Sequence, residues 1–409
     1  MTHQNKAFLE AADRIGSRVC RDAIFASDCC NWIGSSMETV DGASAMVMRA
    51  LGGDLYSGTS GIALFLAHLA AHSGDIVHRR TARAALAHAR RSLEQVPPRS
   101  QIGFYSGTVG IAYALTEIDQ LLPGEGLSEL SLTILRSLPV TLDESTELDI
   151  ISGCAGAILG LLAIRKRLPE AFLLDLAVRL GDLLIARARR RDGAWSWRTV
   201  NMPTIDDLSG FSHGAGGIAL SLLELWVVTK EPRFLEAAEA GFAYERLLFS
   251  EEHENWPDLR ILDQLPRETQ RVPVYGVAWC HGAPGIGLSR LRALELTGDE
   301  RYRREAEAAL RTTARDLRTL ASYALCHGIF GNAELLLVAA EILGDAPSRG
   351  LAESTALAAA EQYPNAEYWP CGVHNGGETP NLMLGLAGIG YHYLQLYDAQ
   401  SNPSVLCIC

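Results

Sequence analysis

Short apolar runs with hydrophobic residues on nearly every side recur along the chain, each opened by a Gly-x-x-Gly pair. Ile62-Ala63-Leu64-Phe65-Leu66, Ile111-Ala112-Tyr113-Ala114-Leu115 and Ile218-Ala219-Leu220-Ser221-Leu222-Leu223 are examples. A helix that is apolar all round is a buried one. Between these runs lie amphipathic stretches rich in Ala, Arg, Glu and Leu, such as Arg80 to Leu93, Leu173 to Arg190 and Arg301 to Leu320. They suit outer helices with one wet face. β-branched alternation over strand lengths is scarce, so the pattern predicts an all-α chain.

The glycine pairs number seven: Gly58/Gly61, Gly107/Gly110, Gly153/Gly156, Gly214/Gly217, Gly282/Gly285, Gly328/Gly331 and Gly385/Gly388. A period of roughly 50 residues, each unit one inner and one outer helix, implies a solenoid or a ring. Strongly apolar inner helices favour closure, because an open array would expose both ends. The expected architecture is a closed α/α toroid, a double-layered helical barrel of seven hairpins, filling residues 1–409 as one domain. Residues 1–50 read as a helical lead-in. Ser250 to Val274, polar and carrying Pro257, Pro266 and Pro273, reads as a surface loop. The glycines allow tight turns and close backbone approach at the start of each inner helix. All seven turns would rim one mouth.

Charge narrows the function. The net charge is −12 with no basic stripe, which argues against a nucleic-acid partner. The one basic cluster, Arg187 and Arg189 to Arg191 before Gly193, reads as a helix C-terminus. Met1 to Glu10 is polar, and no apolar run is long enough for a membrane span. Nine cysteines, an odd number, suit free thiols in a reducing, cytoplasmic setting.

Two of the turns carry chemistry. Trp279-Cys280-His281-Gly282-Ala283-Pro284-Gly285 and Leu325-Cys326-His327-Gly328-Ile329-Phe330-Gly331 nearly repeat each other. Soft ligands presented twice from equivalent positions suggest one zinc ion held between two repeats. Adjacent helix residues point about 100° apart. Both members of each pair are therefore poorly placed to converge, which favours three protein ligands and an open position over a closed Cys₂His₂ site. The plainer alternative is a pair of buried cysteines and histidines without metal. His213, before Gly214, stands in the equivalent slot and is a candidate proton carrier. Asp149, four residues before Gly153, is a candidate to orient a histidine or a substrate amide, or else an N-cap. His374 precedes the seventh turn and is a candidate substrate contact, whereas His68 and His72 read as ordinary helix residues.

The run Trp-Cys-His-Gly-Ala-Pro-Gly, the later Cys-His-Gly and the repeated Ser-Gly-x-x-Gly-Ile-Ala resemble the lanthionine synthetase C-like cyclases over about Trp32 to Leu406. The branch most resembled is the C-terminal cyclase domain of the bifunctional class II lanthipeptide synthetases. His281 stands where stand-alone nisin-type cyclases carry Tyr. The resemblance implies a toroid with zinc held by Cys280, Cys326 and His327. It also implies His213 as the catalytic acid and Asp149 as its acidic partner. A family arginine four residues before the first zinc cysteine is absent. Gly276 stands there, and His281 is a candidate to substitute.

The implied substrate is a ribosomal precursor peptide carrying cysteines and dehydroalanine or dehydrobutyrine, and the product a lanthionine or methyllanthionine thioether ring. Class II enzymes carry a long dehydratase domain before the cyclase, whereas only about 50 residues precede the first glycine pair here; the expectation is a free-standing cyclase or an excised domain, with dehydration done elsewhere, by a separate dehydratase in the first case. Two alternatives compete. One is addition of glutathione to dehydroamino acids. The other is a non-catalytic zinc-bearing scaffold that presents a precursor to a dehydratase or a peptide transporter. A glycosidase built on a similar toroid would need paired carboxylates at the mouth, where this chain offers thiols and imidazoles.

Overall fold

In the computed structural model, residues 3–40, 43–138, 142–261, 272–365 and 368–408 are described. The inner helices each start just after the first glycine of a pair. They are α2 (Thr59–Ser73), α4 (Thr108–Leu121), α6 (Cys154–Arg167), α8 (Ala215–Thr229), α10 (Ala283–Thr297), α12 (Ile329–Leu343) and α14 (Leu386–Tyr397). The first six are each followed by an antiparallel outer partner: α3 (Ile76–Arg91), α5 (Leu127–Ser137), α7 (Ala171–Arg187), α9 (Pro232–Leu248), α11 (Glu300–Asp316) and α13 (Ala346–Gln362). Periodicity explains the layering. α2 buries every residue from Thr59 to Ala70, whereas α3 buries His78, Thr81, Ala82, Ala85, Leu86 and Ala89, one stripe at helical spacing.

Among the described residues no outer helix follows α14. That place is taken by α1 (His3–Arg21), which packs along α14 and also touches α2 and α13. The N-terminal helix thus closes the toroid. Inner helices touch their neighbours in order from α2 to α12, and α14 rests against α2. α12 meets α14 through Phe330 stacked on His392 at 4.4 Å and a hydrogen bond from Gln395 to Glu334.

The turns are bound to one another by main-chain hydrogen bonds that run full circle. N–H groups of Tyr56, Tyr105, Ile150, Ser212, Cys280, Cys326 and Met383 donate in turn to carbonyls of Tyr105, Ile151, Ser212, Cys280, Cys326, Met383 and Tyr56, at 2.9–3.2 Å. Every accepting residue lies two positions before the first glycine of its pair. The second glycine explains the strict motif. A Cβ at Gly61, Gly110, Gly156, Gly217, Gly285, Gly331 or Gly388 would lie 1.7–2.3 Å from the carbonyl oxygen six residues earlier. These glycines serve close approach rather than unusual torsion. Among the first glycines, Gly282 differs, with φ of 99° against −102° to −144° in the other six.

Three parts depart from the expectation. The lead-in is helical only to Arg21. It continues as two antiparallel hairpins, β1 (Ile24–Ala26) with β2 (Cys29–Asn31) and β3 (Ile33–Val40) with β4 (Ala43–Ala50). Arg187 ends α7 as anticipated, but Arg189–Arg191 is a strand, β5, paired with β6 (Ala194–Ser196) across an Asp192-Gly193 turn whose φ values are both positive. The stretch from 250 to 274 lies partly outside the described residues. Its described part is no plain surface loop, since Asn255, Trp256 and Asp258 are buried.

The C-terminal tail turns inward. The carbonyls of Val405 and Leu406 accept from the Tyr105 hydroxyl (2.6 Å) and the Trp279 indole (3.1 Å), so Val405, Leu406 and Ile408 fill space between the inner helices. No described helix is long and apolar enough to cross a membrane.

Candidate metal centre and its surroundings

Cys280 and Cys326 occupy equivalent places on the ring of turns, and Cys280 N–H donates to the Cys326 carbonyl at 3.2 Å. That bond brings together two residues far apart in sequence. One ligand atom each from Cys280, Cys326 and His327 lies within 4.8 Å of the others. Both cysteines are free thiols. His327 Nε2 is 2.6 Å from the Gly372 carbonyl, which fixes the ring and leaves Nδ1 for the cluster. The hydrogen-bond interaction with Cys280 lowers the Cys326 thiol below its ordinary value, and the same interaction, together with burial, pushes the Cys280 thiol up. Two sulfurs and an imidazole, with Cys326 buried and Cys280 and His327 reaching solvent, form a donor set that fits a borderline-soft cation.

His281 diverges from this cluster although it matches His327 in sequence. The two turns differ in backbone, with φ of 99° at Gly282 against −131° at Gly328. His281 lies with its ring 5.9 Å from that of His213, and its Nδ1 is buried with no protein partner. Burial, with Arg260 nearby, lowers its pKa to about 3. A neutral imidazole is a hydrogen-bonding group and no replacement for a missing cation.

His213 Nδ1 is hydrogen-bonded to Asp149 Oδ2, and the other carboxylate oxygen accepts the Ser152 N–H at 2.8 Å. Asp149 therefore braces its own turn and orients His213 together. Its counterparts Asp54 and Asn381, also four residues before a first glycine, accept the equivalent turn N–H groups of Ser57 and Leu384. Burial pulls the His213 imidazole down, but the hydrogen bond and charge of Asp149 outweigh it, and the pKa ends raised. His374 is exposed on the loop before the seventh turn. With Gly372, Val373 and His327 it lines two clefts, of about 580 and 570 Å³. His68 is buried edge-on to Tyr391, as an ordinary helix residue.

Three contributors were not singled out from sequence. Asn255 spans the turn of the fifth hairpin, donating to the Gly276 carbonyl at 3.0 Å and accepting from Ala283 N–H at 2.9 Å. Arg260, held on Asp258 by contacts of 2.6–3.1 Å, brings positive charge to bear on Cys280, Cys326, His213, His281 and His327. Gly276 supplies no such charge. Tyr56, from the first hairpin, lines the same cleft as His327. Alignment of the seven turns would have exposed Tyr56. For Asn255 and Arg260, which lie outside the repeated units, no such signal existed.

Comparison with known proteins follows the same lines. The family described as lanthionine synthetase C-like protein matches residues 49–407. The lacticin 481/lactococcin biosynthesis protein LcnDR2 of Lactococcus lactis subsp. lactis is 21% identical over 92% of this chain, which spans 40% of that relative. The glutathione S-transferase LANCL1 of Danio rerio is 23% identical over 71% of the chain and 70% of its own length. The nisin biosynthesis protein NisC of Lactococcus lactis subsp. lactis is 23% identical over 56% of the chain and 60% of its own. Among solved structures, a nisin cyclase superposes with a TM-score of 0.65 at 18% identity, covering 85% of this chain and 88% of its own. An unsaturated glucuronyl hydrolase from Bacillus sp. GL1 shares the toroid at 0.51 and 13% identity, covering 96% of each. With the family pattern spanning nearly the whole sequence, this chain belongs to the lanthionine synthetase C-like family.

Proposed function

We propose that this protein is a zinc-dependent peptide cyclase that closes lanthionine or methyllanthionine rings in a dehydrated ribosomal precursor peptide. The observation that carries the reading is the meeting of Cys280, Cys326 and His327 within 4.8 Å, with the His213–Asp149 pair on an adjoining turn of the same rim. Cys280, Cys326 and His327 would hold the ion, and three protein donors are the set a catalytic rather than a structural zinc would have. When bound, zinc lowers the pKa of a peptide thiol from its usual value of about 8.5.

The reaction asks the protein for a thiolate, a place for transient charge and a proton. The peptide sulfur adds to the β-carbon of the dehydro residue. One C–S bond forms, and the π pair of the C=C bond moves toward the carbonyl. We assign the stabilisation of that charge to Arg260 and the neutral His281, both close to the cluster. His213 delivers a proton to the α-carbon, which balances the one lost by the thiol, and Asp149 holds its Nδ1 so that Nε2 is the nitrogen used. His374 and the two clefts flanking its loop offer a path for an extended peptide to reach His327. A dehydratase must act first, because the chemistry begins from a dehydro residue. Free thiols at the centre suit a reducing, cytoplasmic compartment.

The test is direct. Zinc-loaded protein mixed with a dehydrated, cysteine-bearing peptide is expected to accelerate loss of free thiol without change in peptide mass. Glutathione in the same mixture separates the alternative that the LANCL1 likeness keeps alive. Mass-increased glutathione adducts without rings would replace the cyclase reading. Peptide binding with no rate change would favour a scaffold that hands the precursor to a dehydratase or transporter.

Arg260 yields a sharper expectation. Arg260→Met should retain zinc and slow ring formation about 100-fold, the scale of losing one charge-stabilising donor, and Arg260→Lys should recover much of the rate. Equal rates for the wild type and Arg260→Met would remove Arg260 from the mechanism.

A further inference from the structure

The outer helix α3 carries a basic stripe that the acidic balance of the whole chain conceals. At 3.6 residues per turn, Arg79, Arg83 and Arg90 fall on one side of a line through Ile76 and Ala87, and Arg80 and Arg91 fall on the other. That line is the floor of a cleft of about 710 Å³ between α3 and the β1–β2 hairpin, and a second cleft of about 260 Å³ continues it toward α5. Five guanidiniums line the two clefts against two carboxylates, Asp28 and Glu125. Glu125 pairs with Arg83 at 2.5 Å and Asp28 with Arg91 at 2.8 Å. Arg79, Arg80 and Arg90 form no ion pair among the described residues, and Arg80 lies over the Phe25 ring at 5.5 Å. Phe25 and Ile76 are both exposed. The stripe runs toward the rim. A Cβ at Gly53 would lie 2.8 Å from that of Ser92, the residue after α3, and His88 Nδ1 is 3.0 Å from Thr59 Oγ1 at the start of α2. Gly52 and Asp54, on either side of Gly53, line the cleft shared by His327 and His374.

We infer that this stripe is a docking groove for an acidic segment of the peptide substrate, one that lies outside the ring-forming residues. That the segment belongs to the substrate rests on the cyclase reading. Three unpaired guanidiniums on a protein of net charge −12 select carboxylates, which arginine holds through its fork of N–H donors. Exposed Phe25 and Ile76 beside them select apolar side chains, which favours a peptide over a phosphate backbone. The groove is concave, so it takes a length of chain and not a flat folded surface. α3 has 16 residues and is about 24 Å long, the span of about seven residues of extended peptide. Its rimward end adjoins the cleft at His327, so one peptide reaches both. An anchor on the outer wall raises the effective concentration of the peptide's cysteines at the centre.

Two fluorescein-labelled peptides test this. Both carry the same cysteine and dehydroalanine residues. One is extended by about seven residues alternating Glu and Leu, the length the groove spans, and the other by the same segment with Gln for Glu. Fluorescence anisotropy at low salt is expected to show the acidic peptide bound about tenfold more tightly by the wild type, with its KM in ring formation lower by a similar factor. Arg79→Gln with Arg90→Gln breaks no ion pair and should cut that preference about fivefold, the scale of two partly exposed charge pairs. Arg304→Gln with Arg318→Gln, the same loss of charge at exposed positions elsewhere, should leave it intact. Equal binding of the two peptides, or an acidic preference that survives in Arg79→Gln with Arg90→Gln, would overturn the inference and leave the cyclase reading in place wherever rings still form. Rings from neither peptide would overturn the cyclase reading, while anisotropy still decides the groove. Tighter binding of a single-stranded oligonucleotide or of phosphatidylserine vesicles than of the acidic peptide, lost in the same double variant, would overturn the peptide assignment.

Discussion

Alanine at Cys280 or Cys326 is expected to empty the metal site and abolish enzyme-dependent ring formation. Each sulfur is one of three donors held within 4.8 Å, and the rigid hydrogen-bonded ring of turns offers no nearby replacement. Affinity should fall by more than the 10–100-fold typical of losing an outer hydrogen-bond partner. Elemental analysis should then find almost no zinc after dialysis, against about one ion per chain in the wild type. The fold should survive, because the cysteine backbones, and not their sulfurs, carry the bonds between turns. His281→Ala is the informative contrast. His281 matches His327 in sequence but lies outside the cluster, so its loss should leave zinc in place and slow cyclisation alone. Full zinc content and normal ring formation in Cys280→Ala would defeat the ligand assignment.

That contrast marks how far the sequence can be read. The toroid is legible because a rigid geometric demand repeats seven times. A second glycine must let the helix start pass a carbonyl six residues back, and no other residue permits it. Cys280 and Cys326 are legible for the same reason, since equal offsets from a repeated landmark mean neighbouring places on a ring. Discriminating His281 from His327 requires the φ of Gly282, which the nearly identical strings hide. The strands escape a search for apolar alternation because they are short or polar, as in Ile33-Gly34-Ser35-Ser36 and Arg189–Arg191, although Asp192-Gly193 is a hairpin signal in its own right. Arg260 and Asn255 reach the centre from an interval outside the repeats, so periodicity says nothing of them. Closure by α1 is likewise invisible locally. It follows only from counting seven inner helices but six outer helices after them.

His213 gives the second large effect. His213→Ala should bind zinc normally, since its ring is not among the cluster's donors, and should close rings about 100–10,000-fold more slowly, the range for loss of a positioned proton carrier. Asp149→Asn separates orientation from charge, because Asn can still accept the Ser152 N–H while its charge is gone. The groups facing His213 are Asp149 and Cys280, which raise its pKa, and Arg260 and His281, which carry or would carry positive charge. The balance favours Asp149, so the acid form of His213 persists above the ordinary histidine range near 6.5. As a proton donor His213 works below that raised pKa and fails as pH climbs through it. Removing the Asp149 charge drops the pKa, because burial, the largest single influence, is then opposed only by Cys280, so the alkaline fall in cyclisation rate should shift to lower pH in Asp149→Asn. A pH profile measured at saturating zinc, with the dehydrated peptide as substrate, reads this directly. A profile that keeps its alkaline limb in Asp149→Asn, or a full rate in His213→Ala, would assign the proton to another group and leave the Asp149–His213 contact a structural brace between the third and fourth turns.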